Sequence, residues 1–244
     1  MNSKSWGEWA TYFEGKGFSC HTPDYPFHSG DPTALRANPP KGLESLRFET
    51  VLETLAQQIA ALPEKPILIG HSMGGLFVQK LVALGLAEAG ICIDSAPPSG
   101  IIVLDWTFLK VNLPVINPLK GKTVCNPSVQ WFHQAFCNTM TLADTEVAFQ
   151  HFVVPESRMI PRQISGRVGK IDFKKPHAPL LFIAGEKDTI IPAALNRKNA
   201  NAYKSSASVV DFKLFKGRSH FICGQKSWEE VAETVLSWIQ DIKS

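Results

Sequence analysis

The stretch Ile67 to Leu76, ILIGHSMGGL, places Ser72 between two glycines, one two residues before it and one two residues after it. Apolar residues at 67–69 precede the motif and predict a strand, and apolar residues recur after it at helical spacing. The pattern G-x-S-x-G between a strand and a helix is typical of a nucleophile elbow, a sharp turn that exposes a serine. We therefore predict that Ser72 is a nucleophile rather than an ordinary turn serine.

The two glycines are explained by the crowding that a sharp strand-to-helix turn imposes. Side chains two positions before and after Ser72 would press against the turn, so glycine is expected at both Gly70 and Gly74. The turn aims Ser72 at the positive end of the following helix, where the amide of Met73 can donate to a developing oxyanion. Met73 is therefore the first predicted oxyanion donor.

A serine hydroxyl needs a base, and the base needs a third group that holds it in the right tautomer. In a fold with such an elbow, an acid and then a histidine follow the serine, each just after a late strand. LLFIAGEKDTIIP places Asp188 after an apolar strand, and DFKLFKGRSHF places His220 after the next one. We predict Ser72, Asp188 and His220 as the catalytic residues. Asp94, which ends the strand in ICIDSAPP, is the competing acid.

The other histidines and the cysteines offer alternative sites. We expect structural or solvated roles for six histidines: His21, His28, His71, His133, His151 and His177. A metal site would have to be built from Cys125, His133, Cys137 and His151, whose spacing matches no tight ligand set. The sequence has no phosphate-binding loop motif. We therefore expect no metal.

Apolar runs rich in Ile, Val, Leu and Phe alternate with amphipathic segments, which is the pattern of a parallel sheet flanked by helices. We predict strands at residues 18–22, 66–69, 90–94, 180–184 and 209–215. We predict helices near residues 6–16, 46–62, 74–84, 192–203 and 228–242. The predicted fold class is α/β, with a mostly parallel sheet and helices on both faces.

The alternation stops between residues 99 and 167. Tryptophan and phenylalanine are frequent there, and prolines break the segment into short pieces. We predict a helical cap inserted into the sheet domain; surface helices that merely pack on the sheet are the alternative. The chain then forms one domain, with a first core part at residues 1–98, the cap at 99–167 and a second core part at 168–244.

The composition limits the classes of function. The chain has 244 residues, of which 44% are hydrophobic and 19% charged, and a net charge of +3, so we expect a globular protein with no nucleic-acid partner. No apolar stretch is long enough for stable membrane insertion, and the amino-terminal residues lack the apolar core of a secretory signal. The five cysteines fit reduced thiols, although Cys125 and Cys137 could pair. We expect a cytoplasmic location, and the sequence says nothing about the oligomeric state.

Together these residues resemble the α/β-hydrolase superfamily across nearly the whole chain. GHSMGG is similar to its elbow, GEKDTIIP to its acid turn, FKGRSHFICG to its histidine loop and CHTPDYPFH to its APDxPGHG turn. The chain looks closest to the small capped esterases and to cofactor-free haloperoxidase-like members. The resemblance implies an α/β-hydrolase fold, a triad of Ser72, Asp188 and His220, and no cofactor.

The amino-terminal segment departs from this family pattern. Family chains normally begin with two or three more strands and a His-Gly loop that donates the second oxyanion amide, and MNSKSWGEWATYFEGKGF is similar to the family segment directly after that loop. The residue after His-Gly would align with Met1, whose nitrogen would be a free amine. We predict Met1 as the second oxyanion position, and we expect that the chain is naturally short or that its start is misassigned.

These features predict a serine hydrolase that cleaves a carboxylic ester or lactone through an acyl-enzyme, a carboxylic ester hydrolase of the EC 3.1.1 class. The aromatic cap indicates a small-molecule substrate with an apolar portion. Thioesters, amides and perhydrolysis stay open as reactions of the same site. The alternatives are a ligand-binding receptor of the same fold and a lyase that uses the same serine and histidine without an acyl-enzyme.

Overall fold

Four parallel strands form the central sheet of the computed structural model, which describes residues 1–101, 111–113 and 118–243. In chain order the strands are β1 (Ile67–His71), β2 (Ala89–Ile93), β3 (Val124–Cys125), β4 (Glu156–Ser157), β5 (Leu180–Gly185) and β6 (Val210–Phe215). The central sheet has the order β1-β2-β5-β6, and β3 and β4 form a separate antiparallel pair. Because all four central strands are parallel, their carboxyl ends meet at one edge of the sheet.

Helices connect the strands. In chain order the α-helices are α1 (Gly7–Glu14), α2 (Pro32–Ala37), α3 (Phe48–Ala60), α4 (Met73–Ala83), α5 (Val129–Ala135), α6 (Leu142–Phe152), α7 (Met159–Gln163), α8 (Ala193–Ala200) and α9 (Glu229–Lys243). Short 3-10 helices lie at Ser3–Trp6, Leu43–Ser45, Pro118–Lys120 and Arg167–Gly169. Within the described ranges, no helix is both long enough and apolar enough to cross a bilayer.

Helices cover both faces of the sheet, so the central strands β2 and β5 are buried along their whole length. On one face α1 and α9 pack against these strands, and Trp9 and Val235 are buried between the layers. On the other face α4 packs against β1 and β2, and Val78 of α4 belongs to the same buried cluster as Phe182 of β5. This arrangement confirms the predicted fold class, a parallel sheet between helical layers.

The strand predicted at residues 18–22 is wrong. The other four predicted strands are present with small shifts of their ends, but residues 18–22 have no regular secondary structure. A strand needs a neighbour that accepts its backbone hydrogen bonds, and no described strand pairs with this segment. The outer edge of β1 is likewise unpaired within the described residues, and α3 beside it keeps Leu55 and Ile59 only half-buried, whereas their helical spacing predicts a core-facing stripe.

All five predicted helices are present, as α1, α3, α4, α8 and α9. Helix α2 is not among the predicted helices, although its sequence has recognisable start signals. Asp31 accepts a hydrogen bond from the amide of Ala34 at 2.9 Å, and Pro32 occupies the first helical position. With only six residues, α2 is too short to show a long apolar period in the sequence.

The described part of the 99–167 segment adds no strand to the central sheet. It contains α5, α6, α7 and the β3–β4 pair, which agrees with the expected change of pattern. Phe132 of α5 and Phe149 of α6 are buried against each other, with ring centroids 5.9 Å apart. Residues 102–110 and 114–117 lie outside the described residues.

A partly buried ion pair joins the loop before α2 to β4. Nδ1 of His28 lies 2.8 Å from the carbonyl oxygen of Pro26, and Nε2 lies 3.1 Å from the carboxylate of Glu156. With Glu156 ionised, neither acceptor carries a hydrogen, so both ring nitrogens donate and His28 is an imidazolium. Burial lowers the pKa of His28, but the charge and hydrogen bond of Glu156 outweigh it and leave that pKa raised. At Glu156, burial raises the pKa of the carboxyl group, but the charge and hydrogen bond of His28 have the larger effect and leave that pKa lowered.

We expect His28→Gln to cost most stability at mildly acidic pH. Because the pKa of His28 is higher in the folded protein than in the unfolded chain, the charged form of His28 stabilises the fold. This contribution is complete below the unfolded-state pKa of about 6.5 and is lost as the pH rises through the folded-state pKa. The lowered pKa of Glu156 gives stability that is present above the unfolded value of about 4.3 and is lost as the pH falls through the folded value. The loss in free energy of unfolding, measured by urea titration, should therefore be largest near pH ~5.5 and shrink toward pH ~9.

The control for this prediction is His151→Gln, on the exposed side of α6. It should change the free energy of unfolding little at any pH. A loss for His28→Gln that is independent of pH would contradict the ionised state of His28.

Candidate active site

Ser72 stands on a strained turn between β1 and α4. Its φ of 57° and ψ of −119° lie in a region that non-glycine residues rarely adopt, at a cost of about 1–3 kcal/mol. Hydrogen bonds to the end of β2 hold the turn: the amide of Ser72 donates to the carbonyl of Ile93 at 2.9 Å, and the amide of Ala96 donates to the carbonyl of Ser72 at 2.9 Å. The end of β2 thus stabilises the conformation that exposes the serine.

The glycines of the elbow have different roles. A Cβ at Gly70 would lie 2.3 Å from the carbonyl oxygen of Gly74, and a Cβ at Gly75 would lie 2.6 Å from the side chain of Ser95. A Cβ at Gly74 would meet, outside its own helix, the hydroxyl of Tyr25 at 3.5 Å, an ordinary contact. The expectation that crowding requires glycine at both flanking positions is therefore wrong for Gly74. Close approach of backbone segments instead requires Gly70 and Gly75.

The loops after β5 and β6 bring Asp188 and His220 together. Nδ1 of His220 lies 2.6 Å from Oδ2 of Asp188, and the amides of Ile190 and Ile191 donate to Oδ1 of Asp188 at 2.8 Å each. Both side chains are buried. With Asp188 ionised, Nδ1 of His220 carries the hydrogen, and Nε2 is left with a lone pair that can take up a proton.

Burial shifts the pKa of both groups toward the neutral form. Burial lowers the pKa of His220, so the imidazole is neutral at neutral pH. Burial raises the pKa of Asp188, and the amides of Ile191 and Ile190 oppose this rise because they stabilise the carboxylate. A neutral imidazole with a free nitrogen is the form that a general base requires.

Two rings hold the imidazole of His220 in place. The ring of His71 lies 4.6 Å from it, and Nε2 of His71 donates to the carbonyl oxygen of His220 at 2.7 Å. The ring of Phe136, from the 99–167 segment, also lies 4.6 Å from the imidazole and meets it edge-on. His71, for which the sequence predicts a structural role away from Ser72, therefore positions the loop that carries His220.

Ser72 is not joined to this pair by a hydrogen bond. Nε2 of His220 is buried and has no hydrogen-bond partner in the part of the chain that the structure describes, the hydroxyl of Ser72 included. Ser72 directly follows His71, whose ring contacts His220, and it begins the turn at the carboxyl end of β1. The structure thus brings the predicted acid and histidine into contact and does not join the serine to them.

Asp94, the competing acid, lies close to the bonded side chains of Asp188 and His220. It is buried at the end of β2, and its Oδ1 accepts a hydrogen bond from the amide of Gly185 at 2.8 Å. One ring nitrogen each of His71 and His220 and a carboxyl oxygen of Asp94 lie within 4.8 Å of one another. The direct 2.6 Å bond to the imidazole is made by Asp188.

The remaining candidates lie elsewhere. His21 is exposed, and the ring nitrogens of three other histidines contact neighbouring groups: His133 with Thr145, His151 with Val147 and His177 with Ala178. Across the described ranges, Cys125, His133, Cys137 and His151 do not form a set of ligands close enough for a metal ion. All five cysteines are free, so Cys125 and Cys137 do not pair.

The two predicted oxyanion residues line the same cavity as Ser72. Met73 is the first residue of α4, so its amide has no acceptor within the helix. The amino group of Met1 lies near Glu156 and Asp24: burial lowers its pKa, and the two carboxylates oppose that change. Both residues are therefore part of the wall of the cavity that contains Ser72.

A cavity of about 1520 Å³ opens at Ser72 and continues between residues 18–23 and the outer edge of β1. This volume exceeds the roughly 300–1000 Å³ of a typical small-molecule pocket because the cavity combines the space at the serine with the space along the strand. Around Met73 the described lining is apolar and comes largely from the 99–167 segment and the loop after β5: Ile101, Trp131, Phe136, Ile160 and Ile190.

Tyr25 is a site residue that the sequence did not predict. Its ring packs edge-on against Phe77 of α4 at 5.4 Å, and its side chain lines the cavity with Ser72. The turn sequence around Tyr25 indicates only a loop, and the position of the ring under α4 results from long-range packing. No local signal could have assigned it to the site.

Comparison with known proteins agrees with this architecture. A model described as the alpha/beta hydrolase family matches residues 1–234. No curated protein matches the chain.

Solved structures of similar fold cover nearly the whole chain. Polyneuridine aldehyde esterase has a TM-score of 0.70 and 17% identity, over 100% of this chain and 95% of that one. The monoacylglycerol lipase of Paleococcus ferrophilus has a TM-score of 0.71 and 20% identity, over 97% and 89%. A variant of tomato methylketone synthase I, complexed with beta-ketoheptanoate, has a TM-score of 0.72 and 18% identity, over 98% and 94%. At these identities the similarity shows the fold.

Alanine substitutions should distinguish the two glycines that flank Ser72. Gly70→Ala places a Cβ 2.3 Å from a backbone carbonyl, so we expect a loss of about 3 kcal/mol in the free energy of unfolding, or failure to fold. Gly74→Ala adds only an ordinary contact and replaces glycine in a helix, so stability should rise by up to about 1 kcal/mol. Urea denaturation followed by circular dichroism measures both. Equal losses at the two positions would contradict the observed geometry.

Proposed function

This chain belongs to the alpha/beta hydrolase family, and from that premise we propose that it is a serine hydrolase of the carboxylic ester class (EC 3.1.1) that cleaves an ester or lactone through an acyl-enzyme. The observation that carries the proposal is the buried 2.6 Å bond between His220 and Asp188, next to the strained turn of Ser72. The esterase and the lipase among the similar structures support a hydrolase that acts on small molecules.

In the proposed mechanism Oγ of Ser72 attacks the carbonyl carbon of the substrate while Nε2 of His220 accepts the hydroxyl proton. Asp188 keeps the other ring proton on Nδ1 and stabilises the imidazolium that forms. His220 then gives its proton to the leaving alcohol, and the acyl group stays on Ser72. A water molecule attacks the acyl-enzyme by the same path and releases the acid.

This mechanism needs a bond between Ser72 and Nε2 of His220 that the resting structure lacks. Catalytic hydrogen bonds are often long in the absence of substrate and tighten in the substrate complex. Nε2 has no competing partner among the described residues, so it is free to accept the Ser72 hydroxyl proton once that side chain turns toward it. We propose that substrate binding selects that rotamer.

We propose that the tetrahedral oxyanion binds to the amide of Met73 and to the nitrogen of Met1. The amide of Met73 lies at the start of α4, where helix geometry leaves it unpaired and the helix dipole favours negative charge. Met1 lines the same cavity. Removal of one oxyanion donor typically costs about 10²–10³ in turnover.

We propose that the 99–167 segment is a cap that selects substrates with an apolar portion. It contacts both loops that carry catalytic groups: Asn138 donates to the carbonyl of Lys187 at 2.9 Å, and the amide of Phe221 donates to the carbonyl of Phe136 at 2.9 Å. Trp131 and Phe136 add aromatic surface to the cavity wall. An acyl or alcohol chain in this space would be removed from water.

We also propose a cytoplasmic location and no nucleic-acid partner. All five cysteines are free, and burial raises the pKa of the Cys92 and Cys223 thiols, which keeps both unreactive. Free thiols fit a reducing compartment. The net charge of +3 provides little attraction to nucleic acid.

A lyase is the second candidate, because Nε2 of His220 is unpaired and Ser72 is not bonded to it in the described structure. A buried neutral imidazole can exchange a proton with a substrate carbon without any acyl-enzyme. The methylketone synthase variant of similar fold was complexed with beta-ketoheptanoate, so a β-keto acid is the substrate to test. For a lyase, Ser72→Ala would keep the release of carbon dioxide, whereas His220→Ala would abolish it.

The serine hydrolase proposal predicts covalent labelling of Ser72 by a fluorophosphonate probe. Ser72→Ala should take no label and should lose about 10⁵–10⁶ in kcat for ester cleavage. Asp188→Asn should lose about 10³–10⁴, because the amide no longer fixes the tautomer of His220. Mass spectrometry of the labelled peptide and hydrolysis of p-nitrophenyl esters measure these effects.

Ser99→Ala is the matched control, since Ser99 lines the same cavity and makes a hydrogen bond to the carbonyl of Ser165. It should keep both the label and the activity. Wild-type protein that takes no label and cleaves no ester would contradict a hydrolase, and in that case binding of an apolar ligand would favour the receptor alternative.

The apolar lining predicts that kcat/KM rises with acyl chain length. Each buried methylene contributes about 0.8 kcal/mol, which corresponds to about fourfold per carbon until the space near Ser72 is filled. Rates over p-nitrophenyl esters from acetate to octanoate measure the slope. Trp131→Ala should reduce the slope, whereas Leu142→Ala, on an exposed position of α6, should not. A flat wild-type series would contradict an apolar acyl site.

A further inference from the structure

Asp94 occupies a position in the site that the proposed mechanism does not use. It is 0% exposed, follows β2 directly and has a φ of 41°, a left-handed conformation that aspartate tolerates better than most residues. Its own amide donates to the carbonyl of Ile183 at 2.8 Å, and its Oδ1 accepts from the amide of Gly185 at 2.8 Å. These bonds fix the carboxyl group of Asp94 against the end of β5.

If Asp94 were ionised, its second carboxyl oxygen, Oδ2, would be buried without a hydrogen-bond donor from any described residue. Oδ2 of Asp94 is buried and has no hydrogen-bond partner within the described ranges when both carboxyl groups act only as acceptors. Asp188 lies close by: a carboxyl oxygen of Asp94 is within 4.8 Å of a ring nitrogen of His220, whose Nδ1 is bonded to Asp188, and burial and the charge of Asp188 both raise the pKa of Asp94. Two carboxylates side by side in a site without solvent cannot both keep their charge, so one of them holds a proton.

The number of donors decides which carboxyl group holds the proton. Asp188 accepts three N–H bonds, from Ile190, Ile191 and His220. Asp94 accepts one side-chain bond, from Gly185. Because more donors stabilise the ionised form of Asp188, the proton belongs on Asp94, and a protonated Oδ2 then finds its missing partner in Asp188.

We propose that Asp94 is a positioning residue that stays protonated and donates a hydrogen bond from Oδ2 to the carboxylate of Asp188. His220 would then be oriented by a carboxylic acid–carboxylate pair rather than by a single carboxylate. This inference rests on the proposed function for its kinetic consequence, but the proton on Asp94 is a property of the resting protein.

The proton on Asp94 has a defined effect on the base. A donor on Asp188 makes that carboxylate less basic, so it stabilises the imidazolium form of His220 less and keeps the resting imidazole neutral. The other titratable groups that face Asp94 are His71 and the thiol of Cys223. Burial lowers the pKa of His71 and raises that of Cys223, so both are neutral near pH ~7 and add no charge.

Two substitutions of Asp94 separate this role from a structural one. Asp94→Asn imitates the protonated group, because its oxygen can accept from Gly185, its NH₂ can donate to Asp188, and asparagine tolerates the positive φ. Asp94→Ala removes the donor. The rate of fluorophosphonate labelling of Ser72 as a function of pH is the measurement, with Asp188→Asn as the reference for loss of the acid.

We expect Asp94→Asn to label within about threefold of the wild type with an unchanged pH midpoint. Asp94→Ala should move the acidic midpoint of labelling upward by about one pH unit, because Asp188 without its donor stabilises the imidazolium. A merely structural role would lower the rate at every pH without moving the midpoint. Labelling of Asp94→Asn that falls as far as that of Asp188→Asn would overturn the proposal, since Asp94 would then be the ionised acid.

Infrared spectroscopy tests whether Asp94 is protonated without relying on catalysis. Wild-type protein that takes no label would reject the hydrolase proposal but would leave this test of Asp94 intact. The wild type at pH ~7 should show a protonated carboxyl C=O band that Asp94→Asn lacks. Absence of the band in the wild type, or its persistence in Asp94→Asn, would overturn the assignment of the proton to Asp94.

Discussion

The 2.6 Å hydrogen bond between Nδ1 of His220 and Oδ2 of Asp188 is the contact on which the proposed chemistry of this protein depends. It exists because β5 and β6 are parallel neighbours, so the loops that leave their carboxyl ends begin side by side. The loops are also tied directly to each other, since the amide of Lys187 donates to the carbonyl of Arg218 at 2.8 Å. Sheet register therefore fixes the distance between two side chains that lie far apart in the sequence.

The same sheet edge holds two other residues of the candidate site in uncommon backbone conformations. Ser72 after β1 and Asp94 after β2 both have positive φ, and hydrogen bonds from the neighbouring strands stabilise both turns. The strain is local, and strand pairing offsets it. Burial keeps the imidazole of His220 neutral. It also makes the hydrogen bonds around this ring stronger than they would be in water.

The sequence was sufficient for the features that local patterns encode. The alternation of strands and helices, the elbow around Ser72 and the order of Asp188 and His220 each have a short-range signature, and the structure places all three as a sheet edge requires. The strand predicted at residues 18–22 is absent from the structure, because hydrogen bonding between strands depends on distant parts of the chain and not on local sequence. The role of Gly74 was overestimated because spacing along the chain does not show which backbone segments approach each other. The position of Tyr25 and the proposed bond between Asp94 and Asp188 depend on tertiary packing, so no short motif predicts them.

The proposed chemistry requires that His220 rests as a neutral imidazole with its proton on Nδ1, directed at Asp188, and with Nε2 free to act as the base. Nitrogen-15 NMR of the ring nitrogens of His220 at neutral pH measures this state directly. We expect a protonated Nδ1 and an unprotonated Nε2. A proton on Nε2, or protons on both nitrogens, would be incompatible with the proposed base.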